Sequence, residues 1–173
     1  LHSYPIRNVG PVTMSGRVSD IAVHPDTARI FYVGFGSAGI FKTTNGGATM
    51  QPVFDNQGGA MGIGDIAISN SNPNILWAGT GENNSSRSTY AGTGVYKTTD
   101  AGNTWTLMGL EGTQHIGRII IHPENPDVVW VGSMGALYSQ NEDRGVYLTT
   151  DGGQTWEKTL FVNDNTGVID LII

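Results

Sequence analysis

An eight-residue stretch occurs three times in this chain, as Thr43–Met50 (TTNGGATM), Thr98–Trp105 (TTDAGNTW) and Thr149–Trp156 (TTDGGQTW). Each copy follows a short apolar run that opens on glycine: Gly39-Ile40-Phe41-Lys42, Gly94-Val95-Tyr96-Lys97 and Gly145-Val146-Tyr147-Leu148. The unit reads as strand, tight turn, strand. Asn45, Asp100 and Asp151 supply a side-chain oxygen that accepts from backbone N–H groups two residues on. Gly47, Gly102 and Gly153 take the positive φ that a compact hairpin needs. Trp105 and Trp156 close the second and third copies and anchor them on apolar neighbours, whereas the first copy ends on Met50.

The rest of the chain repeats around these turns. Gly16-Arg17-Val18-Ser19-Asp20-Ile21-Ala22-Val23 is echoed by Ile63-Gly64-Asp65-Ile66-Ala67-Ile68 and by Ile116-Gly117-Arg118-Ile119-Ile120-Ile121. A second apolar run follows each, at Ile30–Gly34, Ile75–Gly79 and Val128–Gly132. Four strands per unit, a period of about 50 residues and no helical periodicity predict an all-β fold, a β-propeller of four-stranded antiparallel blades. The expected division is a lead-in at 1–15, blades at 16–62, 63–115 and 116–166, and the first strand of a further blade at 167–173. About three blades and a strand cannot close a ring of four to eight blades, so the remaining blades are expected from a longer chain.

The repeated turn resembles the Asp-box of bacterial neuraminidase (BNR) repeats, found in propellers of the sialidase, xyloglucanase and sortilin type, and the lead-in Tyr4–Pro11 is similar to the segment before the first blade of sortilin-like repeats. The resemblance covers residues 4–173. The first copy departs from the pattern at Asn45 and Met50 and the second at Ala101, so the first turn is expected to be the least rigid. In this family the box is structural and lies on the side of the propeller away from the ligand. The resemblance therefore implies a fold and leaves enzymes, receptors and scaffolds open.

Composition narrows the function. Fifteen acidic against nine basic residues give a net charge of −6, which disfavours a nucleic-acid backbone as partner. Twenty-five glycines and 14% charged residues suit a turn-rich β protein. There is no cysteine, no apolar run of the roughly 20 residues a transmembrane segment needs, and no metal-ligand spacing. No cofactor is expected. Gly34-Phe35-Gly36-Ser37-Ala38-Gly39 matches a dinucleotide fingerprint, but it leads into a strand where the fingerprint needs a helix N-terminus.

In a propeller, the loops from second to third strand and from one blade to the next share the face opposite the repeated turns. Here that face carries the polar insertions Thr80–Gly92 and Ser133–Arg144. They supply Glu82, Arg87, Tyr90, Tyr138, Glu142 and Asp143, a set of planar polar groups and rings suited to a sugar or a peptide; the same insertions also read as solvated loops. Arg17 and Arg118 are placed at matching positions of innermost strands. They would either grip a carboxylate, as sialidases do, or form ion pairs with Asp20, Asp65 or Asp170. Glu82 and Glu142 are weak candidates for the paired acids of glycoside hydrolysis, which need about 5–10 Å between them. Overlapping glycosylation sequons lie at Asn83-Asn84-Ser85 and Asn84-Ser85-Ser86.

Together these features favour a non-catalytic recognition or scaffold module of an exported protein, in the extracellular space, the periplasm or at the cell surface. It would bind a protein, peptide or glycan through its loop face. The alternative is the N-terminal part of a glycoside hydrolase of the sialidase or xyloglucanase type.

Overall fold

The computed structural model describes the chain from residue 16 onward, except positions 58 and 87. The lead-in at 1–15 and the candidate ligand residue Arg87 thus lie outside the described residues. Three four-stranded antiparallel sheets follow one another in sequence. The first holds Val18–Val23 (β1), Phe31–Phe35 (β2), Gly39–Thr43 (β3) and Gln51–Pro52 (β4); the second Ile63–Ile68 (β5), Leu76–Thr80 (β6), Val95–Thr98 (β7) and Thr106–Leu107 (β8). The third holds Ile116–Ile121 (β9), Val129–Ser133 (β10), Gly145–Thr149 (β11) and Glu157–Leu160 (β12). Each sheet is a meander in chain order, and the only helical piece among the described residues is a 3₁₀ turn at Glu111–Thr113. Gly167–Ile173 forms no ladder among the described residues, though the Val168 N–H donates to the Ser133 carbonyl at 2.9 Å.

The sheets stack through alternate side chains. On β6, Leu76 and Ala78 pack toward the first sheet with Tyr32, Ile40, Ile63 and Tyr96, while Trp77 packs toward the third with Ile116, Ile119, Val129 and Val131. Trp77, Ile63, Leu76, Ile116 and Val129 are fully buried; complete burial of such a side chain stabilises by roughly 2–3 kcal/mol. Close approach depends on glycine. A Cβ on Gly34 would lie 2.8 Å from Ile63, one on Gly79 2.4 Å from Ile116, and one on Gly132 3.0 Å from Val168. Each second strand thus leaves a notch that an apolar residue at the start of the following segment fills.

The repeated turns lock by a mechanism that corrects the expected one. The N–H two residues past the Asn or Asp goes to the threonine hydroxyl two places before it: Gly47, Gly102 and Gly153 donate to Thr43, Thr98 and Thr149 at 3.0, 3.0 and 2.9 Å, and Asn45, Asp100 and Asp151 donate to the same hydroxyls at 3.3 Å. The Asn or Asp oxygen instead accepts from the N–H four residues on, at Thr49 (2.9 Å), Thr104 (2.8 Å) and Thr155 (3.0 Å). In the second and third turns the threonine hydroxyl also donates to the carboxylate at 2.6 Å, and these bonds hold Asp100 down to about 2 and Asp151 well below the usual carboxylate range. Asn45 reverses that last bond, its Nδ2 donating to Thr49 Oγ1 at 2.9 Å, without the gain of a charged acceptor.

These turns also tie neighbouring sheets together. Trp105 Nε1 donates to the Val53 carbonyl and Trp156 Nε1 to the Met108 carbonyl, each just beyond the last strand of the preceding sheet. Lys42 lies over the Tyr32 ring and donates to the Ala101 carbonyl at 2.8 Å; Lys97 lies over Trp77 and donates to the Gly152 carbonyl at 3.1 Å. Leu148 occupies the corresponding place in the third sheet, cross-strand from Trp130. All three turns bond to the connections between first and second strands, at Arg29, Asn74 and Asp127. They therefore lie at the opposite end of each sheet from the long β6–β7 and β10–β11 loops.

Candidate functional site

The long loops converge around Glu82. It is 1% exposed, and its carboxylate accepts from Arg17 Nε and NH2, both at 2.6 Å. Its N–H donates to the Tyr90 carbonyl at 3.2 Å, closing the base of the β6–β7 loop. Its carbonyl lies 2.9 Å from Nδ1 of buried His115, which places the proton on that nitrogen. One residue therefore joins the margins of all three sheets. The hydrogen-bonded carboxylate raises the Arg17 guanidinium above its ordinary value, and burial lowers His115 below its own. Gly36 makes room: a Cβ there would sit 2.7 Å from the Glu82 carboxyl.

Arg17 and Arg118 do not occupy matching positions. A bulge in each first strand shifts the register after Val18, Ile63 and Ile116, so that Asp20, Asp65 and Arg118 face Gly34, Gly79 and Gly132. Arg17, Gly62 and His115 are the true equivalents, their carbonyls accepting from Gly36, Gly81 and Met134. The misplacement arose because Ser19 stands at the bulge where the other copies have Gly64 and Gly117. Arg17 accordingly pairs with Glu82, 65 positions away, and not with a strand aspartate.

Arg118 faces a cleft lined by Asp20, Asp65, Asn84 and Asp170. Its Nε donates to Asp170 at 2.7 Å and its NH1 to Asp65 at 3.2 Å. Asp20 and Asp65 each accept the N–H of the next sheet's first strand, at Ile66 (2.9 Å) and Ile119 (2.8 Å). Burial and the Asp20 carboxylate push Asp65 up to about 7 against the opposing pull of Ile119 N–H and Arg118. The two arginines thus engage different carboxylates and do not converge on a shared anion site.

The β10–β11 loop is built around Arg144, 8% exposed, which donates to the carbonyls of Met134 (2.5 Å), Ala136 (2.5 Å) and Ser139 (3.1 Å). At its tip Tyr138 is 75% exposed and donates to the Ser86 carbonyl at 2.8 Å, joining this loop to the β6–β7 loop. Tyr90 is 58% exposed. The Asp143 carbonyl accepts from Ser133 Oγ at 2.6 Å; Glu142 is exposed, with its carbonyl bonded to Lys158. Sequence reasoning missed the part played by His115 and Gly36. The glycine lay inside the run dismissed as a dinucleotide fingerprint, and that run indeed forms β2, a three-residue connection and β3.

Among the described residues no group of acidic, His or Cys side chains is arranged to hold a metal, and no helix is long and apolar enough to cross a membrane.

No protein-family profile matches the chain. A xyloglucanase of Hypocrea jecorina (strain QM6a) is 33% identical over 148 residues, which cover 82% of this chain and 15% of that protein. An ancestral GH74 enzyme of known structure superposes with a TM-score of 0.65 at 24% identity, over 86% of this chain and 19% of its own. PorZ, a surface component of the type-IX secretion system of Porphyromonas gingivalis, superposes with a TM-score of 0.55 at 22% identity, over 76% of this chain and 17% of its own. The chain spans less than a fifth of each of these proteins, and what it shares with the two structures is a β-propeller-type fold.

Proposed function

We propose that this chain is a recognition section of a larger Asp-box propeller, exported or displayed at a cell surface, that binds a glycan through its loop face without catalysing a reaction. The observation that carries this reading is the pairing of exposed rings with buried polar anchors. Tyr90 and Tyr138 project from loops whose bases are fixed by Glu82 and Arg144. Rigid aromatic faces beside hydroxyl and amide groups suit a sugar ring. Glu82, fully buried against Arg17, is poorly placed as an acid for glycoside cleavage, which favours binding over hydrolysis. The likeness to a xyloglucanase inclines the ligand toward a polysaccharide over a peptide, and the likeness to PorZ supports a surface location.

Affinity electrophoresis in gels containing xyloglucan or another neutral glucan tests the reading. Retardation is expected to weaken about tenfold on Tyr90→Ala or Tyr138→Ala, the loss of one ring stacking contact. Unchanged retardation in both variants would remove the loop face from consideration. A second reading, the N-terminal part of a glycoside hydrolase, is favoured by the 33% identity to the xyloglucanase. Release of reducing ends from xyloglucan by the longer parent chain, with turnover, would establish it in place of the first.

A further inference from the structure

The pocket between the first two sheets is lined by Arg17, Gly36, Ser37, Glu82, Ser88 and Tyr90. Its only described cation is Arg17, whose side chain is 46% exposed and also reaches Ser86 Oγ at 3.2 Å. An arginine so placed beside a tyrosine would ordinarily clamp a carboxylate through two parallel N–H donors. Here the Nε and NH2 edge of the fork is already filled by both oxygens of Glu82. Glu82 is not free to yield its place, because its own N–H and carbonyl are bonded to Tyr90 and His115 and its carboxylate sits where Gly36 has no Cβ. A ligand carboxylate arriving in this pocket meets an arginine whose charge is already balanced and whose bidentate edge is already filled. A hydroxyl needs no free charge and finds Ser88 and the Tyr90 ring on the walls.

We propose that Glu82 is a specificity residue: by occupying Arg17 it closes the pocket between the first two sheets to acidic ligands and reserves it for uncharged, hydroxyl-rich ones. This rests on the glycan reading above and adds to it the charge of the ligand. Removing the carboxylate while keeping the side-chain shape frees the guanidinium and inverts the preference.

The test compares the full chain with its Glu82→Gln variant, using a glucose oligosaccharide and the counterpart oxidised at C6 to glucuronate, with dissociation constants measured by calorimetry at low and high salt. The wild type is expected to favour the neutral probe. In Glu82→Gln the ratio of the two constants should move toward glucuronate by about tenfold or more, as a freed bidentate arginine would give, and the shift should shrink with salt. Adding Arg17→Gln to Glu82→Gln should cancel it. Should Glu82→Gln fail to fold, Glu82→Asp, one methylene short of the Arg17 fork, should shift the ratio in the same direction by a smaller factor. Ratios for a folded variant within about twofold of wild type, or equal wild-type binding of both probes, would overturn the proposal. A wild type that binds neither probe, with a Glu82→Gln variant that gains glucuronate, would refute the glycan reading and leave the selectivity role standing; no binding by either would refute both.

Discussion

Two glycines of the repeated turn offer a matched test of what the turn requires. Gly46 has φ +70° and nothing within 4 Å of where a Cβ would point, whereas Gly153 has φ +94° and a Cβ there would lie 2.5 Å from Trp77 Cη2 and 3.1 Å from Met108 Cε. The position equivalent to Gly46 in the second turn is Ala101, which already adopts φ 58°. A side chain in the left-handed region costs about 1–2 kcal/mol, part of which alanine recovers, about 0.4–1 kcal/mol, by restricting the unfolded chain. Gly46→Ala is therefore expected to cost about 1 kcal/mol or less. Gly153→Ala carries that same term and also an overpacking term of about 1–3 kcal/mol, because Trp77 is 0% exposed and stacked edge-on against Trp156, so it has nowhere to retreat. The sum is about 3 kcal/mol, or roughly 6–12 °C in Tm for a chain of this size. Urea unfolding followed by tryptophan fluorescence reads both variants, since Trp77 and Trp156 lie at the perturbed joint. Equal losses would mean that backbone conformation alone sets the glycine requirement and that the inter-sheet packing argument is wrong.

Three further outcomes follow from the same geometry. Asp65 holds its proton up to about 7 in the folded chain against an ordinary value of 3.8, so the stability it contributes is complete below pH 3.8 and lost as pH rises through 7. Asp65→Asn keeps an acceptor for the Ile119 N–H and should flatten the decline in urea midpoint between pH 5 and 8; a profile parallel to wild type would contradict this. Trp156→Phe keeps most of the ring and loses the Nε1 donation to Met108, an expected cost of about 1 kcal/mol, measurable by thermal melting. Lys97→Met removes the donation to Gly152 and the charge over Trp77, with an expected cost of about 1 kcal/mol that should diminish only slightly in high salt because Lys97 is largely shielded from solvent.

Strand order and sheet composition were legible because apolar runs and glycine-opened strands recur in the same order in each unit, and a local pattern needs no partner to be read. The site was less so. Glu82 reads as one polar residue in a polar loop, and only its distance of 65 positions from Arg17, bridged by the stacking of two sheets, makes it buried. Arg17 and Arg118 look equivalent because the Gly-Arg-apolar order of residues 16–18 recurs at 117–119, while the counterpart of Gly117 at the bulge is Ser19. The N–H groups of Gly47, Gly102 and Gly153 go to a threonine hydroxyl two places before the Asn or Asp, an acceptor that local turn chemistry alone does not distinguish from the carboxylate.

The aspartate contacts run one way round the stack, since Asp20 reaches forward to Ile66 and Asp65 to Ile119. Arg118 interrupts the series by reaching backward to Asp65 as well as forward to Asp170. The three sheets are therefore not interchangeable modules: a chimera that duplicates the second sheet in place of the third would set one more anion beside two others, whereas the natural order carries its own neutralising charge. That asymmetry gives each module an address in an otherwise repetitive molecule.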